Sequence, residues 1–220
     1  MQQQQATVAR WIGIGMIGLL VFLFAMSYVF PSSGEHQDTA EQVKTVTIAS
    51  WNLQIFGKSK AENADLLDAY AALLGAYDIV FLQEIRDSSG TAFRHLCDLL
   101  PHYTCAISTR AGRSSSKEQY GLLYRNVTLA GEPLQLLASH DFNPDAQDRW
   151  ERPPIAAKFS INDYVFTLYT THIKPTDVRK ELAALEDIVV NEGNVVILGD
   201  LNADCSYYAP SRKSAFTTWH

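Results

Sequence analysis

The segment NVVILGDLNADCSYY, Asn194 to Tyr208, sets Asp200, Asn202 and Asp204 directly behind the apolar run Val195 to Leu198. Packing gives a buried strand no reason to end on a carboxylate and an amide. The pattern recurs, because three other apolar runs finish on Asn52, Glu84 and His172. One polar residue at a strand end is ordinary solvation. Several strand ends on one side of a sheet bring their side chains to a common place. Carboxylate and amide oxygens suit Mg²⁺, Mn²⁺ or Ca²⁺, and the cysteines lack the paired spacing of a thiolate zinc site. A hard cation beside a histidine points to phosphoryl transfer with water as the nucleophile.

Six segments carry a family resemblance. ASWNLQIFG, VFLQEIRD, GRSSSKEQY, ERPPIAAKF, THIKP and GDLNADCSY stand in the order seen in the endonuclease/exonuclease/phosphatase superfamily. They most resemble its secreted deoxyribonuclease I branch, from about Val46 to Tyr208. The resemblance implies an α/β four-layer sandwich, two central mixed β-sheets flanked by helices. It also implies Mg²⁺-dependent cleavage of DNA phosphodiesters, with Mn²⁺ or Ca²⁺ as alternative ions and duplex DNA as the partner. Carried over residue by residue, Glu84 resembles the main metal ligand, helped by Asn52. Asp200 and Asn202 resemble the pair that holds scissile phosphate, metal and attacking water. His172 resembles one of two catalytic histidines and Glu118 its orienting carboxylate. Arg86, Arg113 and Arg152 resemble residues that contact DNA. The chemistry agrees: an imidazole fixed by a carboxylate moves a proton, and guanidinium forks match phosphate oxygens. Asp204 is expected to be a turn residue.

The chain departs from that branch in places. Gln54 and Ser116 stand where the branch has an arginine and a tyrosine, which weakens the case for tight duplex binding. SHDFNPDAQDRW lacks the branch's cysteine pair, although Asp141, Asp145 and Asp148 could bind Ca²⁺. The family's closing strand with its Asp-His pair has no counterpart before His220, so the expected sandwich is incomplete at its C-terminus. Two other readings are a phosphodiesterase or phosphatase for a lipid headgroup or small phosphorylated substrate, and an inactive membrane-tethered binding module.

The elements that must position these residues are legible in outline. Strands are expected to end at Asn52 and Glu84, with a capping box Ser59 to Glu62 and a helix exposing Leu66, Tyr70, Leu73 and Tyr77 to the core. A helix over about 91–100 and a strand near 103–108 follow. YGLLYR and VTLAGEPLQLL are expected to pair, and SHDFNPDAQDRWERPP to form a long loop. IAAKFSI and VFTLYTTHI form another strand pair. A helix from near Thr176 buries Val178, Leu182, Leu185 and Val189. His95, His102 and His140 have no partner pattern and read as structural.

Of the 220 residues, 47% are hydrophobic and 19% charged, which argues against disorder. After residue 30 the chain holds 17 basic against 24 acidic residues, about −7 in all, so no general electrostatic grip on nucleic acid is expected. Trp11 to Phe30 is twenty residues without a charge, preceded by Arg10 and followed by Glu35, Asp38 and Glu41. That length and asymmetry predict a membrane anchor over 1–30 with its positive end inside. A cleaved signal ending near Ser27 is the alternative. Either exports the domain at 44–220 behind a polar linker, 31–43. No protein partner is expected. Export permits disulfides: Cys97 could pair with Cys105, leaving Cys205 over, or all three could be free thiols.

Overall fold

The structure, a computed structural model, describes residues 45–189, 192–204 and 207–208. The expected anchor, linker, Cys205 and C-terminal segment lie outside the described residues. Among the described residues, no helix is long and apolar enough to cross a membrane.

Eight strands form two four-stranded mixed sheets. The first contains β1 (Ile48–Phe56), β2 (Ile79–Ile85), β3 (Thr104–Ile107) and β4 (Gln119–Tyr124) in the order β1-β2-β4-β3. The second contains β5 (Leu134–Asp141), β6 (Ile155–Ile161), β7 (Tyr164–His172) and β8 (Val195–Asp200) in sequence order. The parallel pairs are β1 with β2 and β7 with β8; the remaining neighbours are antiparallel. Each parallel pair is joined through helices. These are α1 (Lys58–Ala61) and α2 (Ala64–Leu74) in one case and α4 (Val178–Val189) in the other, while α3 (Thr91–Asp98) joins β2 to β3.

The sheets face one another across a core that includes Ile79, Phe81, Leu122, Leu134, Phe159 and Leu168. The opposite face of the first sheet packs Trp51, Phe56 and Leu82 against Tyr70 and Leu74 of α2 and Leu96 of α3. The opposite face of the second packs Ala156 and Tyr169 against Leu185 and Val189 of α4. Helices, sheet, sheet and helix make the expected four layers. Because β2 is covered on both faces, it reads as a continuous apolar run rather than an alternation.

Several details differ from the sequence expectation. YGLLYR and VTLAGEPLQLL do not pair: β4 lies inside the first sheet and β5 edges the second. Tyr120 and Leu122 nevertheless share one core cluster with Leu134. Two strands that face each other across a core show the same alternation as two that pair side by side. Ser139, His140 and Asp141 belong to β5, not to a loop. Ser59 lies inside α1 and caps nothing; Asn63 caps α2 by accepting the Leu66 N–H at 3.0 Å. Tyr70 is buried as expected and Leu66 and Tyr77 pack against the same core, but Leu73 is exposed and Leu67 and Leu74 are buried instead. Cys97 and Cys105 are disulfide-bonded, tying α3 to β3.

Candidate active site

His172 is the last residue of β7 and Asp200 the last of β8, and the two are register partners. Gly199 makes that possible. Its φ is +135°, and a Cβ there would lie 2.0 Å from the Thr171 carbonyl oxygen, so only glycine lets β8 pass so close to β7. Asp200 Oδ2 then lies 3.7 Å from His172 Nε2.

The other imidazole nitrogen is held from the first sheet. Glu118, just before β4, is 1% exposed, and its Oε1 lies 2.6 Å from His172 Nδ1. A carboxylate accepts only, so Nδ1 carries the proton in that contact, leaving Nε2 toward Asp200. The backbone of His172 is fixed as well: its N–H donates to the Tyr120 hydroxyl at 2.9 Å and its carbonyl accepts from Arg152 Nε at 2.9 Å. Arg152 Nε also lies 2.9 Å from Glu118 Oε1. Burial, and then the Glu118 charge, push the Tyr120 phenol well above its ordinary range. It therefore stays protonated and donates to the Arg152 carbonyl at 3.2 Å.

Glu84, near the end of β2, completes the cluster. Asn52 Nδ2 donates to Glu84 Oε1 and to Asp200 Oδ2, each at 3.0 Å, so carboxylates from both sheets converge on one point. Glu84 Oε2 accepts the Ile55 N–H at 2.8 Å and lies 3.3 Å from Arg86 Nη2. Burial alone would raise the Glu84 carboxyl, but the Asn52 amide, the nearby His172, the Ile55 N–H and Arg86 together hold it below the ordinary range. Arg86 Nη2 also lies 3.5 Å from Glu118 Oε2. Glu118 Oε2, Arg86 Nε and Arg152 Nη2 are buried without a hydrogen-bond partner among the described residues. Such orphan atoms are rare in a core and common where a ligand is expected.

Three carboxylates against two guanidinium groups leave the cluster anionic before His172 is counted. One ligating atom each from Glu84, Glu118 and His172 lies within 4.8 Å of the others. Oxygen donors, excess negative charge and an unsatisfied carboxylate oxygen fit a hard divalent cation. Glu118 Oε1 and His172 Nδ1 are committed to each other. Glu84 and Asp200 are therefore the better candidates to hold an ion, with the Asn52 amide, whose oxygen accepts the Gln54 N–H, orienting both carboxylates.

The remaining expected residues sit further out. The Asn202 N–H reaches Asp200 Oδ1 at 3.2 Å, and its amide donates to the Ile173 carbonyl at 2.8 Å. Asp204 is in a turn, its carbonyl accepting the Tyr207 N–H. Arg113 pairs with Asp148 and Glu151 and makes no hydrogen bond or ion pair with Glu84, Glu118, His172 or Asp200 among the described residues. Asp141 accepts from Thr109, Asp145 pairs with Arg149, and Asp148 with Arg113. Each of the three carboxylates that could bind Ca²⁺ is thus occupied by a different donor, and they form no metal-capable group among the described residues. Sequence reasoning missed the roles of Tyr120 and Gln83. Tyr120 shares the Glu118 face of the strand at a spacing of two, which was a usable signal. Gln83 links Ser50 to Thr170 across the two sheets, with both hydrogen bonds at 2.9 Å; no local pattern announces that.

The sequence profile of the Endonuclease/Exonuclease/phosphatase family matches residues 49–220. The chain belongs to that family. Deoxyribonuclease-1 of Homo sapiens is 32% identical over 197 residues, covering 80% of this chain and 67% of the human protein. The likeness places the chain in the deoxyribonuclease I-like branch. The chain spans about two thirds of the length of the curated relatives it matches. Among solved structures, the endonuclease/exonuclease/phosphatase from Bacteroides vulgatus superposes with a TM-score of 0.51 at 20% identity, over 71% of this chain and 66% of that one. A D. rerio TDP2, humanized by 14 mutations, gives 0.53 at 19% identity, over 73% and 63%. At these identities the superpositions establish the fold.

Proposed function

We propose that the protein is an exported, Mg²⁺-dependent endonuclease that hydrolyses DNA phosphodiesters. The observation that carries this reading is the convergence, on one face, of the Glu118–His172 pair with Asp200 and Glu84. Relatedness to deoxyribonuclease-1 supports DNA as the substrate, and the uncharged Trp11 to Phe30 segment supports export, anchored or cleaved.

Glu84 and Asp200 would hold the ion, with Asn52 orienting both, and the ion would supply neutralisation of charge growing on the phosphate oxygens. The chain's own groups account for the rest. With Nδ1–H fixed by Glu118, His172 in its doubly protonated form presents Nε2–H to the substrate and delivers that proton to the leaving oxygen as the phosphorus–oxygen bond breaks. Asp200 accepts a hydrogen bond from the attacking water, orients it and takes its proton as the new oxygen–phosphorus bond forms. Arg86 reaches both Glu84 and Glu118 and has a spare Nε–H for a phosphate oxygen. Arg152 fixes the His172 carbonyl and Glu118 together, and Asn202 ties the β8 end to Ile173. Arg113, held on an outer loop, would meet substrate at a distance from the scissile bond.

The test is incubation of the purified protein with supercoiled plasmid in Mg²⁺ and in EDTA. Nicking in Mg²⁺ that EDTA abolishes is expected; no nicking under either condition would overturn the reading. Parallel assays with sphingomyelin and inositol phosphates are expected to show no turnover. A preference for either would move the substrate while keeping the chemistry.

A further inference from the structure

Strand β1 does not run straight to its end. Its register against β2 shifts between Asn52 and Phe56, and Gln54 and Ile55 take φ values of +50° and +60°. For a β-branched residue such as Ile55 that region is a true outlier. A residue so held persists only where its surroundings enforce it. The strain is put to use: the Gln54 N–H donates to Asn52 Oδ1 at 2.8 Å, and the Ile55 N–H to Glu84 Oε2 at 2.8 Å. Glu84 is itself at φ +60°. The orientation of Asn52 and Glu84 therefore depends on a turn that the backbone does not favour.

Lys60 enforces the turn. Lys60, on the single-turn helix α1, donates from Nζ to the Leu53 carbonyl at 2.8 Å and to the Gln54 carbonyl at 2.5 Å. A charged donor between two carbonyls is stronger than a neutral one. Burial lowers the Lys60 ammonium, and the negative Glu84 works against that loss. Lys60 is half-buried rather than swinging free in solvent.

We propose that Lys60 is a positioning residue: its ammonium clamps the Leu53–Ile55 turn, which keeps Glu84 and Asn52 aimed at the cation and at the scissile phosphate. This rests on the proposed function. Lys60 has no role as acid, base or substrate ligand in it. A lysine that only stabilised the fold would change the melting temperature and leave cation affinity untouched.

The experiment measures Mn²⁺ binding by calorimetry, without turnover, together with plasmid nicking, for the full chain and for Lys60→Met. The variant is expected to bind Mn²⁺ about tenfold more weakly and to lose about tenfold in kcat, the range for removing a group that orients a metal ligand. KM for plasmid should change less than about twofold, because no phosphate contact is removed. Mn²⁺ affinity and kcat both within twofold of the parent would overturn the proposal, as would a kcat loss matched only by a lower folded fraction. Should Lys60→Met not fold, Lys60→Gln decides by the same readings. If the parent binds Mn²⁺ but nicks nothing, the nuclease reading falls while the affinity comparison still judges Lys60.

Discussion

Strand β2 is preceded by one carboxylate, Asp78, and carries another, Glu84, near its far end. Asp78 is 1% exposed and closed on every side. Its Oδ2 accepts from the Thr47 N–H at 2.8 Å and the Thr47 hydroxyl at 2.7 Å, and its Oδ1 accepts the Leu129 N–H at 2.6 Å. All three donors are neutral. Glu84 sits at positive φ, is touched by a guanidinium and shares an amide donor with Asp200. Behind it lies Glu118, whose Oε2 has no hydrogen-bond partner among the described residues. A carboxylate satisfied by neutral donors in relaxed backbone staples loops together. One held by charges, strained backbone and an open side keeps its electrostatic demand for a ligand. In DIVFLQE the two look alike.

The first way to break this contrast is at the end assigned to chemistry. His172→Gln should lower the rate of Mg²⁺-dependent plasmid nicking by about 10²–10⁴-fold, the range for losing a positioned proton donor. Nicking within tenfold of the parent would remove His172 from the mechanism. Next comes the stapling end. Asp78→Ala strands buried donors and should reduce the unfolding free energy by about 3 kcal/mol in urea titration, while the folded enzyme keeps its specific activity. Glu84→Gln should show the reverse, a collapse of nicking with a stability change under about 1 kcal/mol. Similar stability losses for the two would erase the distinction.

Smaller effects test the surroundings. Reducing the Cys97–Cys105 bond, which spans 8 positions, should cost about 2–3 kcal/mol by relaxing the unfolded chain, read as a lower midpoint in urea with dithiothreitol. The smallest effect belongs to Asp87, just past the Glu84 end. The Ala92 N–H, with help from Ser89 and against burial, lowers its carboxyl from 3.8 to about 2. The folded value lies below the unfolded one, so its stabilisation is complete above pH 4 and is lost as pH falls toward 2. Asp87→Asn should cost about 1 kcal/mol at neutral pH and flatten stability between pH 4 and 2.

Most of the fold was legible because β2, β7, β8 and α4 carry strong periodic or continuous apolar patterns. Val178, Leu182, Leu185 and Val189 are all buried, as their spacing requires. The partnering of β4 and β5 was not legible, since alternation reports which face is buried and not which strand lies beside it. Tyr70 of α2 is legible as a core residue, with Leu66 and Tyr77 packed beside it, whereas Leu73 and Leu74 are equally apolar neighbours and only packing selects Leu74. The candidate site was legible as residue types at strand ends. Its wiring was not, because Tyr120, Gln83 and Lys60 act through contacts between segments.

The sequence by itself determined the layered α/β class, the family and the chemical character of the site, because these follow from periodicity and from ordered motifs within single segments. The tertiary structure alone decided that the Tyr120 hydroxyl meets the His172 N–H across 52 positions and that Asn52 meets Asp200 across 148. It also decided that Asp78 is closed while Glu84 is open. Those outcomes depend on how two sheets stack and twist against each other, a sum of packing over the whole core that no single stretch of chain encodes.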